Sequence, residues 1–144
     1  MSALLDTHVL YWLVSGTTSL SESALVAIAE AQAEDRLYVS PVTAWELGVA
    51  AQKSLQANRP DLCPLSPKAW FREAVQATGA RIAPIRQRIA LESAEVVTRT
   101  GHKDPGDCFL VATARVMRIP LVSRDAVMHR IARVDPDYLT VLDC

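Results

Sequence analysis

The sequence has 144 residues, half of them hydrophobic, and a formal net charge of −1 at pH 7. That is enough apolar material for one compact domain with a sizeable core, and it excludes disorder as the main state. No window approaches the ~18 apolar residues of a membrane span, and no basic segment precedes a long apolar run as in a secretory signal, so a soluble cytoplasmic protein with no membrane partner is expected. Cys63, Cys108 and Cys144 stand far apart in no metal-ligand spacing and read as reduced, structural thiols. Residues 81 to 133 hold ten Lys/Arg against five Asp/Glu, whereas residues 1 to 80 hold five against eight. That asymmetry permits a polyanionic partner without demanding one.

Taken in chain order, short strands alternate with helices. Ala3 to Leu5 is an apolar stretch ending at Asp6, and Thr7 to Val14 reads as a helix. Ser19 and Glu22 form an S-x-x-E capping box ahead of a helix to Glu34. A second strand, Leu37 to Val39, leads into Ser40-Pro41, an N-cap followed by proline, and a helix to about Ser54 with Val42, Trp45 and Val49 on its apolar face. The segment SLQANRPDLCPLSP makes a loop before the Trp70 helix, which Gly79 ends. A third strand follows from Arg81 to Pro84 or Ile85, then a helix from Gln87 to Thr98 and another from Pro105 to Met117. Strand Leu121 to Ser123, a short helix near Ala126 to Ala132 and strand Leu139 to Leu142 complete the pattern. Parallel neighbours need crossover connections, so this alternation predicts a single-domain, three-layer α/β/α fold with a central parallel sheet. Ligand sites in such sheets lie beyond the carboxyl ends of the strands.

Each acid near those ends also has a local explanation. Asp6 can cap the helix after it. Glu46 has only Val42, Thr43, Val49 and Ala50 at helical spacing, so no Lys or Arg pairs with it, yet a solvated flank position accounts for it as well. Asp104 before Pro105 is a good N-cap, and Asp107 then sits where the helix dipole favours an acid. Asp125 in SRD reads first as an N-cap. The set carries more weight than its members, because Asp6, Asp107 and Asp125 project from one edge of the sheet and Glu46 lies a turn beyond it. Carboxylates a few ångströms apart repel by roughly 3 kcal/mol at an effective dielectric of about 20. A shared proton or a bound cation offsets that. Oxygen donors without His or Cys suit Mg2+ or Mn2+, and a hard ion so held supports phosphate-ester hydrolysis by activated water.

These residues resemble the PIN-domain ribonucleases, and within them the toxins of VapBC type II toxin–antitoxin systems. The resemblance spans essentially the whole chain, residues 1 to 144, through LLDTHVLYWL, SPVTAWEL, HKDPGDCFLVATA and LVSRD, whose order and spacing together carry it. It implies a parallel α/β fold and Mg2+- or Mn2+-dependent cleavage of RNA, with Asp6, Glu46, Asp107 and Asp125 as the catalytic, metal-binding acids. Asp104 matches the first acid of a D-P-x-D variant and is placed as a helix cap one step back from the metal. Where many relatives carry a bulky aromatic and an Arg around the second acid, this chain has Gly106 and Cys108, which bears on local contacts with substrate or antitoxin rather than on the metal site. The resemblance also implies a cognate antitoxin over the acidic groove and a homodimer.

Around the acids, Thr7 and Ser123 are candidates to orient them or a water. His8 reads as structural, with a phosphate contact as the alternative, and His102, Lys103 and Arg124 are either phosphate ligands or solvated surface charge. Trp12, Trp45 and Trp70 lie in apolar helices and read as core. Two other functions compete. A haloacid-dehalogenase-like phosphatase would need a second Asp two positions after Asp6, where His8 stands, and a non-catalytic PIN-like module would bind RNA or protein without cutting.

Overall fold

The computed structural model describes residues 1–144. In chain order the elements are β1 (Ala3–Leu5), α1 (Thr7–Ser15), α2 (Glu22–Ala33), β2 (Leu37–Val39), α3 (Pro41–Ala50), a 3-10 turn (Gln56–Asn58), α4 (Pro67–Thr78), β3 (Arg81–Ile82), α5 (Gln87–Thr100), α6 (Pro105–Met117), β4 (Leu121–Val122), α7 (Ala126–Val134) and β5 (Val141–Leu142). The five strands form one sheet in the order β3-β2-β1-β4-β5, and every pairing is parallel. Leu5 is level with Val39 on one side and Val122 on the other. Asp6, Ser40 and Ser123 are therefore the first residues past the carboxyl edge of three adjacent strands.

At its centre the sheet is buried on both faces, as the apolar strands β1 and β4 require, while Arg81 and Ile82 of the edge strand β3 are exposed. Alternation along β1 sends Ala3 and Leu5 into one core, with Val9, Ile28, Trp70 and Phe71, and Leu4 into the other, with Ile89, Leu110, Met128 and Tyr138. The chain runs outward from β1 through β2 to β3, then returns to lay β4 and β5 on the opposite side. The order thus reverses at β1, where an open parallel sheet leaves a crevice between neighbouring loops.

Several boundaries differ from the sequence pattern for identifiable reasons. Helix α2 is capped by Ser21, not Ser19: the Ser21 hydroxyl accepts from the Ala24 N–H at 3.2 Å and donates to the Asp143 carbonyl at 3.1 Å. Ser19 is occupied otherwise, its carbonyl accepting from Arg124 at 2.8 Å. Helix α3 stops at Ala50 because the next N–H groups, of Gln52 and Lys53, bond three residues back and tighten the chain into a turn. Its buried residues are Val42, Thr43 and Leu47, whereas Trp45 and Val49 are 52% and 48% exposed. Trp45 is therefore not a core residue; Trp70 is buried and Trp12 half-buried. Strands β3 and β5 are each two residues long, though Leu121 still donates to the Thr140 carbonyl just before β5.

Candidate active site

Asp6 leaves β1 in extended conformation and stands at the N-cap of α1, with its carbonyl accepting from Leu10. Its side chain caps nothing. Oδ2 instead accepts from the Ser123 hydroxyl at 2.6 Å, across the crevice between β1 and β4 and 117 residues away in sequence. Asp6 is only 6% exposed. Burial raises its carboxyl pKa, against the lowering effect of the Ser123 bond, and the charge of Asp125 adds to the rise.

Glu46 reaches the same edge from α3. The Thr7 hydroxyl donates to its Oε1 at 2.8 Å, and Thr7 and Thr43 hydroxyls lie 3.0 Å apart. One proton cannot serve both contacts, so Thr43 donates to Thr7 and Thr7 to the carboxylate, a chain of hydrogen bonds whose members polarise one another. Burial, then the charges of Asp6, Asp107 and Asp104, push Glu46 up to about 7. On its other side the carboxylate lies against the first turn of α6, where a Cβ on Gly106 would fall 2.8 Å from Glu46 Cδ and 3.0 Å from each oxygen. The missing side chain at residue 106 is what lets Glu46 fold onto that turn.

At the start of α6, Asp104 caps as expected, its Oδ1 accepting from the Asp107 N–H at 3.0 Å. Asp107 faces the crevice, where burial raises its pKa and the charges of Asp104 and Asp125 raise it further. His102 does not project toward solvent for a phosphate: its Nε2 lies 2.7 Å from Asp107 Oδ2. The loop is closed from behind by Cys108, whose thiol donates to the His102 carbonyl at 3.3 Å. Lys103 is exposed.

Asp125 is the rim member of the set. It caps α7, accepting from the Val127 N–H at 2.7 Å, while its own N–H donates to the Ser123 hydroxyl at 3.0 Å. Ser123 thereby joins the two acids. Arg124 is committed elsewhere, with Nε donating to the Cys144 carbonyl at 2.6 Å, Nη2 to Ser19, and its guanidinium 4.8 Å over the Trp12 ring. Exposed His8 packs its ring 5.6 Å from Trp12. Two contributors escaped the sequence reading and a third was read differently. Thr43 carries no local signal, His129 braces β4 by donating to the Ser123 carbonyl at 2.9 Å, and Gly106, read from the sequence as bearing on substrate or antitoxin contacts, abuts the acid Glu46 instead.

The structure thus brings Asp6, Glu46, Asp107, Asp104 and Asp125 to one edge, close enough that charges from this set add to the raised pKa values of Asp6, Glu46 and Asp107. Buried, mutually repelling oxygen donors are the chemistry that a hard divalent cation satisfies. As they stand, no group of three such side chains encloses an ion, and Thr7 and His102 hold Glu46 and Asp107 in separate hydrogen bonds. The donor chemistry fits the cation; the present rotamers leave the cage open.

No curated protein matches the chain by sequence. Among solved structures, it is similar to VapBC2 from Rickettsia felis, crystallised with a promoter DNA fragment, at 11% identity over 99% of this chain and 98% of that one with a TM-score of 0.66. DNA-bound VapBC from Salmonella typhimurium gives 16% identity over 99% and 98% with a TM-score of 0.66. A toxin–antitoxin complex from Klebsiella pneumoniae gives 25% identity over 86% and 87% with a TM-score of 0.53. The PIN domain family model matches residues 3–134, a span that includes every acid of the site. With its all-parallel sheet, its acids at the carboxyl edge and that match over nearly its whole length, the chain belongs to the PIN domain family.

Proposed function

We propose that this chain is the toxin of a VapBC-type toxin–antitoxin pair and acts as a Mg2+- or Mn2+-dependent endoribonuclease in the cytoplasm. The observation that carries the reading is the convergence of Asp6, Glu46 and Asp107 at one sheet edge, each with its pKa raised first by burial and then by neighbouring acids. A domain that excludes water from several carboxylates and then sets them against one another is unstable there without a counter-ion. The structural neighbours from toxin–antitoxin complexes support the physiological setting. They motivate an antitoxin protein as partner, and a homodimer is proposed on the family resemblance.

In this reading Asp6, Glu46, Asp107 and Asp125 hold the ion, and Asp104 fixes the α6 turn that carries Asp107. When bound, a divalent cation polarises phosphodiester oxygens and supplies a nucleophile from water. Ser123 holds Asp6 and the Asp125 backbone in one geometry, and Thr7 orients Glu46. His102 holds Asp107 in a 2.7 Å hydrogen bond that a cation would displace. No helix of the protein is long and apolar enough to cross a membrane.

The open cage favours one alternative, a PIN-like module that binds RNA or protein without cutting it. The two readings separate when the purified protein is incubated with total cellular RNA with and without Mg2+ and the new ends are mapped. The nuclease reading expects discrete ends that require Mg2+ and vanish with Asp6→Asn and Asp107→Asn. Cleavage unchanged in both variants overturns it.

A further inference from the structure

We propose that the groove between α1 and α3 is a stacking site for unpaired bases of single-stranded RNA, with Trp45 as its platform and Lys53 and Arg59 as phosphate partners at its far end. The proposal rests on the ribonuclease reading for the identity of the strand, and on the groove itself for the mode of binding.

The groove has a volume of about 560 Å³ and opens directly from the acidic site, since Thr7, Glu46 and Asp104 line one end of it. Its walls are aromatic, with His8 and Trp12 on α1 and Trp45 on α3. Trp45 is 52% exposed although its helix already buries Val42, Thr43 and Leu47. It is therefore not needed for the core, and its ring is available to a ligand. The far end is basic. Arg59 is pinned there by its Nε, which donates to the Lys53 carbonyl at 2.6 Å, and neither cation forms an ion pair with an acid of the chain.

This order of acids, ring faces and unpaired cations suits a polymer with alternating bases and phosphates. A phosphate is repelled from the carboxylate end unless a cation lies there, while the next phosphates meet Lys53 and Arg59. From Glu46 the helix runs four more residues to Ala50, about 6 Å at 1.5 Å per residue, and the turn that carries Lys53 follows, within a nucleotide or two along a strand. Aromatic faces accept any base, so such a groove binds without strong sequence preference, as single-strand sites do. An apolar protein segment would leave two desolvated cations at the far end without partners.

The test is binding of single-stranded poly(A) and poly(U) in EDTA, where cutting is suppressed, to the wild-type chain, Trp45→Ala, Trp45→Phe and the double variant Lys53→Ala/Arg59→Ala. Trp45→Ala is expected to weaken binding roughly tenfold at unchanged salt dependence, and Trp45→Phe to restore most of it. The double variant should reduce the slope of log affinity against log salt by about 1.4, the value for two phosphate contacts on a single strand. Equal affinity of wild type and Trp45→Ala, in protein whose Mg2+-dependent cleavage is intact, overturns the groove and leaves the nuclease reading standing. Trp45-dependent RNA binding without any cleavage in Mg2+ supports the groove and fails the nuclease reading. Loss of antitoxin capture by Trp45→Ala with RNA affinity unchanged assigns the surface to a protein and also overturns the proposal.

Discussion

The Thr7 hydroxyl donates to Glu46 at 2.8 Å while Thr43 stands 3.0 Å behind it, so a buried threonine at the start of α1 holds an acid that belongs to α3. Thr7→Val keeps the shape and removes the link. It strands the fully buried Thr43 hydroxyl and takes the donor from Glu46, and the expected loss of stability is about 1–3 kcal/mol by urea denaturation. Because the Thr7 bond lowers the Glu46 pKa, the variant also moves that pKa further up. A double variant with Thr43→Val should lose less than the two single losses combined, since both act on one chain of bonds.

Gly106→Ala separates the site from the fold. The added Cβ falls 2.8 Å from Glu46 Cδ, but the atoms it meets are the end of a flexible side chain, which can swing away. Within a helix Ala is favoured over Gly by about 0.5–1 kcal/mol. The expected outcome is unchanged or slightly raised stability without metal, together with a smaller rise in melting temperature on addition of Mg2+ or Mn2+. A variant that unfolds more easily and binds the ion as well as wild type contradicts this account.

The acids predict how stability depends on pH in EDTA. Glu46 has a pKa of about 7 in the folded protein and an ordinary value of 4.5. Between those values the folded protein keeps a proton that the unfolded chain has lost, so stability falls as pH rises from about 4.5 through about 7. Partial exposure screens the effect, leaving about 1–2 kcal/mol. Asp6 and Asp107, also raised, act in the same direction from lower values. Urea midpoints between pH 5 and 8 should decline in wild type and flatten in Glu46→Gln.

Removing charge and supplying counter-charge should have opposite dependences on the ion. Asp6→Asn keeps an acceptor for Ser123 and relieves repulsion from Asp125, so metal-free stability above pH 7 is expected to hold or rise. The same variant should lose RNA cleavage and most of the melting-temperature rise at millimolar Mg2+, a rise that follows from binding to the folded state alone. Saturating Mg2+ without any shift in wild type would count decisively against a metal at this edge.

Much of the architecture is visible in the sequence because the three central strands each end just before a helix-starting residue: Asp6, Ser40 before Pro41, and Asp125 all stand between an apolar run and a helix. The acids are legible for the same reason, since strand ends of a parallel sheet share one edge. What local pattern does not carry is which side chain meets which. The bonds of Ser123 to Asp6 and Thr7 to Glu46 span 117 and 39 residues. Trp45 misled because an apolar residue at helical spacing marks a core face only when a neighbour covers it, and α3 turns Val42, Thr43 and Leu47 inward instead. Arg124 looked free for phosphate because its partners, the Cys144 and Ser19 carbonyls, are set by tertiary packing, and His102 because its contact with Asp107 five residues on depends on how the loop folds into α6.

The sheet order has a consequence for synthesis. β1 occupies the middle of the sheet, yet its partner on one side, β4, comes more than a hundred residues later in the chain. During translation, which proceeds from the amino end, Asp6 emerges early and remains without Ser123 or Asp125 until the last third of the domain has left the ribosome. Contacts of such long sequence separation form late and cooperatively. A partly made chain therefore has Asp6 and Glu46 but lacks Asp107, Ser123 and Asp125, and chemistry that depends on the full set starts only once the domain is nearly whole.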